Sequence, residues 1–264
     1  MGQKIYQVDS FTDRPFAGNP AGVCILPEAR SEKWMQDVAR EMNLAETAFL
    51  VKQNDGYNLR WFTPAIEVDL CGHATLASAH ILWETGQLSP KDEARFHTKS
   101  GLLSANQNGK LIEMNFPATP ATAVDAPPGL LQALDVKAKY AGKSKFDYLI
   151  EVESEDVVRS LNPDIGQIKT LPVRGIIVTA KTKSDGFDFV SRFFAPAAGV
   201  YEDPVTGSAH CTLAPFWAER LGKKELVGYQ ASSRGGVVQV RVEGDRVFLG
   251  GQAVTVLACE LVNG

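Results

Sequence analysis

Two glycine-containing turns, Gly72-His73-Ala74 and Gly207-Ser208-Ala209, each open onto an apolar stretch of helical length. The first N–H groups of a helix lack internal partners, and the helix dipole adds partial positive charge there. Each turn can therefore receive an anion such as a carboxylate, with His73 and Ser208 as added side-chain donors. A plainer reading is equally open, in which glycine permits the turn and Ser208 caps its helix. Five carboxylates beside the turns, Glu46, Glu67, Asp69, Glu202 and Asp203, are candidates for proton transfer. Glu46 opens the strand pattern Thr47-Ala48-Phe49-Leu50-Val51, and a carboxylate leading an apolar strand is partly desolvated, a setting suited to general acid–base work. An ordinary strand-end carboxylate is the alternative.

Other chemistries have less support. His80 follows His73 by seven residues and Cys71 precedes it by two, but no HExxH pattern or second cluster completes a metal site, so none is expected. No Walker sequence, no GxGxxG after a strand and no GxSxG is present, which argues against nucleotide cofactors and hydrolase triads. Cys71 stands just before a helix start, where a thiol pKa falls and a nucleophile can form. A small buried apolar residue is the other reading of Cys71.

The elements that must position these groups are duplicated. Phe62-Thr63-Pro64-Ala65 leads through Cys71-Gly72-His73-Ala74 into an apolar stretch carrying Trp83, and Phe194-Ala195-Pro196-Ala197 leads through Thr206-Gly207-Ser208-Ala209 to Phe216 and Trp217. Upstream, Phe49-Leu50-Val51 and Gly56 to Trp61 match Ile176-Ile177-Val178 and Gly186 to Phe193; downstream, Gly101 to Gly109 and Gly236 to Gly244 share a spacing of eight. The unit reads strand, strand, helix, strand, strand. Two copies of so long a period predict two pseudo-symmetric halves rather than a solenoid.

The proline-rich stretch around 118–129 is the expected linker, giving an N-terminal half over 1–117 and a C-terminal half over 130–264. Ser31 before Trp34, Met35, Val38 and Met42 predicts a capped surface helix. Mixed strands with one long helix per half predict an α+β protein.

Composition narrows the function class. Hydrophobic residues make up 44% of the 264, enough to bury a sizeable core and to exclude disorder as the main state. Asp and Glu (31) outnumber Lys and Arg (27) without a run of like charge, so the basic stripe of a general nucleic-acid binder is missing. No stretch nears the ~20 apolar residues of a spanning helix, and the N-terminal pattern is that of a strand rather than a signal peptide. The four cysteines are dispersed and read as reduced thiols. A cytoplasmic protein with no nucleic-acid or membrane partner is expected.

Several motifs together resemble the PhzF-like family, the phenazine-biosynthesis isomerases and their relatives, over essentially the whole chain. They are Val8-Asp9-Ser10-Phe11-Thr12, Phe16-Ala17-Gly18-Asn19-Pro20-Ala21-Gly22-Val23, Leu44-Ala45-Glu46-Thr47-Ala48-Phe49, Phe62-Thr63-Pro64, Cys71-Gly72-His73-Ala74-Thr75-Leu76-Ala77 and Glu202-Asp203-Pro204-Val205-Thr206-Gly207-Ser208-Ala209. The resemblance implies a diaminopimelate-epimerase-like fold, with two similar halves each wrapping a strand-rich barrel around a central helix. It implies that Glu46 is the catalytic glutamate and that Asn19, Gly72, His73, Asp203, Gly207 and Ser208 line a substrate site between the halves. In that scheme the helix ends and Ser208 hold a carboxylate, while His73 and Asp203 contact amino or hydroxyl groups. The implied reaction is an isomerisation that needs no metal or cofactor, and the implied assembly is a homodimer.

A two-thiol epimerase of this fold needs facing cysteines. Cys71 resembles the first, but 202–208 holds no cysteine and Cys211 falls inside the expected helix, so Cys71 is expected to pack. A racemase or epimerase using Glu46 with another base, and a non-catalytic small-molecule-binding protein, are the competing readings.

Overall fold

The computed structural model describes residues 2–262. Strands β1 (Gln3–Ser10) and β2 (Asn19–Leu26) pair antiparallel. The chain crosses through helix α1 (Glu32–Met42) to β3 (Glu46–Gln53), which runs parallel to β2. Ser31 caps α1 as expected, its Oγ accepting the Trp34 N–H at 3.2 Å. β3 turns back into β4 (Gly56–Phe62), and the short β5 (Glu67–Val68) pairs with the end of β4.

Helix α2 (Gly72–Glu84) follows, then β6 (Ala94–Thr98), β7 (Gly101–Asn108) and β8 (Leu111–Pro117). β6 returns parallel to β4, and β6, β7 and β8 form an antiparallel meander. Residues His73 to Ala79 and Ile81 to Trp83 of α2 are all buried. A helix apolar on every side has no face for water, so it can only be a core element, and β1, β2 and β3 pack on it.

The second unit repeats this order. It contains β9 (Thr122–Ala123), α3 (Leu130–Leu134), β10 (Tyr140–Lys143), β11 (Tyr148–Glu151), α4 (Glu155–Ser160) and α5 (Ile165–Lys169). Then come β12 (Ile176–Lys181), β13 (Phe189–Ala195), β14 (Val200–Asp203), α6 (Gly207–Leu221), β15 (Glu225–Gln230), β16 (Gly236–Glu243) and β17 (Arg246–Gly251). β12 runs parallel to β11 and antiparallel to β13; β15 returns parallel to β13 after α6 and pairs antiparallel with β16. These relations match β2, β3, β4, α2, β6 and β7 step for step, and the fold is the expected α+β, diaminopimelate-epimerase-like one.

The duplication extends to side chains. Arg60 on β4 holds Glu67 on β5 through Nε–Oε1 at 2.7 Å and Nη2–Oε2 at 2.6 Å, and its guanidinium lies 5.1 Å from the Phe62 ring centroid. Arg192 on β13 holds Glu202 on β14 at 2.7 and 2.8 Å and lies 5.0 Å from the Phe194 centroid. Such bidentate pairs fix planar geometry as well as charge.

The chain divides into one compact unit made of residues up to Asn115 with those from Gly250 onward, and a second over Phe116–Leu249. The last strand, β18 (Ala253–Leu261), pairs antiparallel with β1 from Gln3↔Leu261 to Ser10↔Ala253. It therefore belongs to the first unit, whereas the expected C-terminal half ran to 264; the outermost residues of both expected halves lie outside the described ones. The expected linker is part of the second unit, where Thr122 and Ala123 pair with Lys143 and Gly142. Among the described residues no helix is long and apolar enough to cross a membrane.

Leu76 of α2 and Leu213 of α6 are fully buried. Truncating either to alanine removes core contacts that the surrounding strands cannot refill, and is expected to cost about 2–5 kcal/mol. Chemical denaturation followed by far-UV circular dichroism measures the loss.

Candidate active site

In the first unit the groups named by the sequence converge on one ring. Glu46 is the first residue of β3 and His73 the second of α2. Glu46 Oε2 lies 3.1 Å from His73 Nε2, a charge contact without the alignment of a hydrogen bond, between side chains that are 18% and 6% exposed. On the other side of the ring, Nδ1 lies 3.1 Å from Asn19 Nδ2 and 3.5 Å from Cys71 Sγ. Ser10 Oγ donates to the His73 carbonyl at 2.8 Å. Strands β1, β2 and β3 thus each supply one group to the start of α2. Asn19 is fully buried and acts on the ring.

Burial disfavours a charged imidazole, but negative charge on the Cys71 sulfur and the Glu46 carboxylate works the other way and carries the His73 pKa well above its ordinary value. Cys71 itself is pushed up to about 11, first by burial and then by Glu46. Of the two readings of Cys71, a helix-activated nucleophile draws no support, because desolvation outweighs the helix end. The packing reading of Cys71 fits.

Among the described residues, Glu46, Cys71 and His73 form a cluster of potential metal ligands, their donor atoms within 4.8 Å of one another. Cys71 approaches Nδ1 and Glu46 approaches Nε2, so the two neighbours address different ring nitrogens rather than converging on one. The other carboxylates of this unit do different work. Glu67 is locked between Arg60 and Lys99, which hold it below the usual carboxylate range, and Asp69 is exposed. His80 meets Thr255 Oγ1 at 3.1 Å, and His97 Nε2 meets the Asp55 carbonyl at 2.6 Å.

In the second unit the segment before α6 is tied down by Gln230, which is fully buried. Its Oε1 accepts the Thr206 N–H at 2.9 Å, and its Nε2 donates to the Asp203 carbonyl at 2.7 Å. Thr206 Oγ1 donates to Asp203 Oδ2 at 2.5 Å. The N-cap of α6 is Thr206, without a side-chain cap bond, so Ser208 is not the cap. Instead Ser208 Oγ lies 3.4 Å from Arg174 Nη2. Arg174 is gripped at 2.9 and 2.5 Å by Asp147, a carboxylate only 1% exposed whose pKa burial raises despite the guanidinium. A side chain at Gly175 would collide with the Phe193 ring and come 2.8 Å from Asp147 Oδ1.

Sequence reasoning missed Asn19's bond to the ring, Gln230, and the Asp147–Arg174 pair. The signal available for the pair was an Arg-Gly step before the apolar run 176–180. It says nothing of a partner 27 residues away.

The His73 assignment can be checked directly. Its folded pKa stands above the ~6.5 of an unfolded histidine, so the charge pair's contribution to stability is full below about pH 6.5 and fades as pH rises through the raised value. An NMR titration of the His73 ring should show protonation persisting above the ordinary range in wild type and falling back in Glu46→Gln. An unchanged titration would remove Glu46 as the cause.

The chain matches the family model for phenazine biosynthesis-like proteins, PhzC-PhzF, over residues 8–259. It is 54% identical to an uncharacterised isomerase of Halalkalibacterium halodurans over 263 residues, 99% of each chain. A crystal structure of a PhzF-family phenazine biosynthesis protein from Enterococcus faecalis superposes with a TM-score of 0.94 at 39% identity, covering 98% of this chain and 99% of that one. A probable proline racemase from Agrobacterium radiobacter shares the fold at 11% identity, with a TM-score of 0.66 and coverage of 99% and 93%. With its duplicated strand order and a match spanning nearly its full length, the chain belongs to the phenazine biosynthesis-like (PhzC-PhzF) family and is an isomerase.

Proposed function

We propose that this isomerase moves a proton within a small carboxylate-bearing substrate, with Glu46 as the acid–base group and without a cofactor. The observation that carries this is the contact between Glu46 and the buried, positively biased His73. A carboxylate steadied by a neighbouring imidazole can take a proton from one carbon and return it to another, which shifts a double bond with no net change in atoms or electrons. A single group serving both steps must reach both carbons from one face. This makes allylic isomerisation the natural outcome and inversion at one carbon the harder one.

In this reading His73 also contacts the substrate, Asn19 sets the ring's orientation, and the backbone N–H groups at Gly72 receive negative charge. Asp203, Gly207 and Ser208 are assigned to substrate binding from the second unit. A homodimer and a cytoplasmic location complete the proposal. An epimerase relying on the Cys71 thiol draws no support, because a thiol near 11 is a poor base at neutral pH.

The test is NMR in D₂O with a panel of small unsaturated carboxylates and amino acids. Wild type is expected to place deuterium at the carbon that gains the proton, and Glu46→Gln to lose about 10²–10⁴ of that rate while keeping its circular dichroism spectrum. Exchange should persist after dialysis against EDTA. Full exchange in Glu46→Gln would end the proposal; deuterium at an α-carbon with inversion would favour the epimerase, and ligand binding without exchange the binder. Ser208→Ala should raise KM severalfold and leave kcat nearly intact, separating a binding role from a chemical one.

A further inference from the structure

The turn between β1 and β2 holds two phenylalanines in the left-handed backbone region, Phe11 at φ 63° and Phe16 at φ 66°. Bulky L residues resist this state. Phe11 has an evident return, because its ring is fully buried and fills the space that a side chain at Gly251 would otherwise need. Phe16 has none: at 81% it is the most exposed of the large hydrophobic side chains among the described residues.

The conformation of Phe16 is nevertheless enforced. Its N–H donates at 2.7 Å to Oδ2 of Asp9, a carboxylate 1% exposed. Thr12 Oγ1 donates to the Arg14 carbonyl and accepts the Arg14 N–H, at 3.0 and 3.2 Å. Gly18, at φ 64°, permits the close return of the chain, since a side chain there would strike the Ser10 carbonyl oxygen. Strain that the surroundings impose without a packing gain clusters at functional sites.

Both ends of the turn are fastened to the residue beside Glu46. Ser10, before it, bonds the His73 carbonyl, and Asn19, after it, meets His73 Nδ1. Phe16 lies three residues from Asn19, a span of at most about 11 Å between Cα atoms.

We propose that Phe16 is a specificity-determining residue whose ring, held out by the strained turn, packs on the apolar body of a carboxylate substrate bound at Glu46 and His73. This rests on the function proposed above and deepens it, by restricting the substrates to carboxylates with an apolar body large enough to cover a phenyl ring. A short acid such as acetate offers nothing to cover it.

The test uses benzoate and acetate as probes, titrated by NMR into the intact protein. Wild type is expected to bind benzoate about tenfold more tightly than acetate, from partial burial of one ring. Phe16→Ala and Phe16→Gly should erase that preference. Phe16→Gly should also melt no lower than wild type, since glycine accepts φ 66° freely. Equal binding of the two acids by wild type, including none of either, would overturn the proposal. So would a preference that survives both substitutions, and if those substitutions also changed the sedimentation profile, Phe16 would be assigned to contact with a second copy of the chain. Benzoate carries no proton to migrate, so Glu46→Gln should keep the preference. Failure of the Phe16 proposal is thereby separate from failure of the acid–base reading, which deuterium exchange alone decides.

Discussion

Burying an ionisable ring sets the terms on which the first unit is built. His73 is 5% exposed, and an ionisable ring in that setting needs polar groups around it. Ring neighbours arrive from two strands, Asn19 from β2 and Glu46 from β3, while Ser10 from β1 donates to the His73 backbone carbonyl. The pairing of β1 with β2 and of β2 with β3 sets where these residues stand along α2. A slip of one residue in either register would turn a partner to the opposite face. The Glu46–His73 contact and the strand order are thus one constraint, and the start of α2 is held by side chains from all three strands.

The second unit reaches a comparable arrangement with other residues. Its core helix starts at a glycine step, as α2 does, and a strand arginine clamps a glutamate on the short strand before each helix. Its helix entrance is organised by Gln230 and by the Asp147–Arg174 pair rather than by an imidazole. Duplication preserved the frame, in other words, while the polar groups at the two helix starts diverged.

Much of this was readable from the chain. Glycine steps and equal glycine spacings are local patterns, and they disclosed the repeat and the two core helices, while the association of Glu46 with His73 came from the family resemblance. What escaped depends on distant residues meeting. Whether Cys71 is activated turns on desolvation against a helix end, and only the packed surroundings show that desolvation prevails. Among five candidate carboxylates, Glu67 and Glu202 are occupied by arginines, a fact invisible until β4 meets β5 and β13 meets β14. From sequence the last strand could join either half, because its pattern carries no sign of its partner, and backbone pairing with β1 decides it.

That pairing has a consequence for how the molecule is made. β1 leaves the ribosome before β18, with the second unit synthesised between them. The second unit is continuous and can close on itself as soon as it emerges. The first must wait with one edge of β1 uncovered, a row of unpaired N–H and C=O groups open to any passing strand. A nascent chain at this stage is exposed to misassembly along that edge until β18 arrives to cover it.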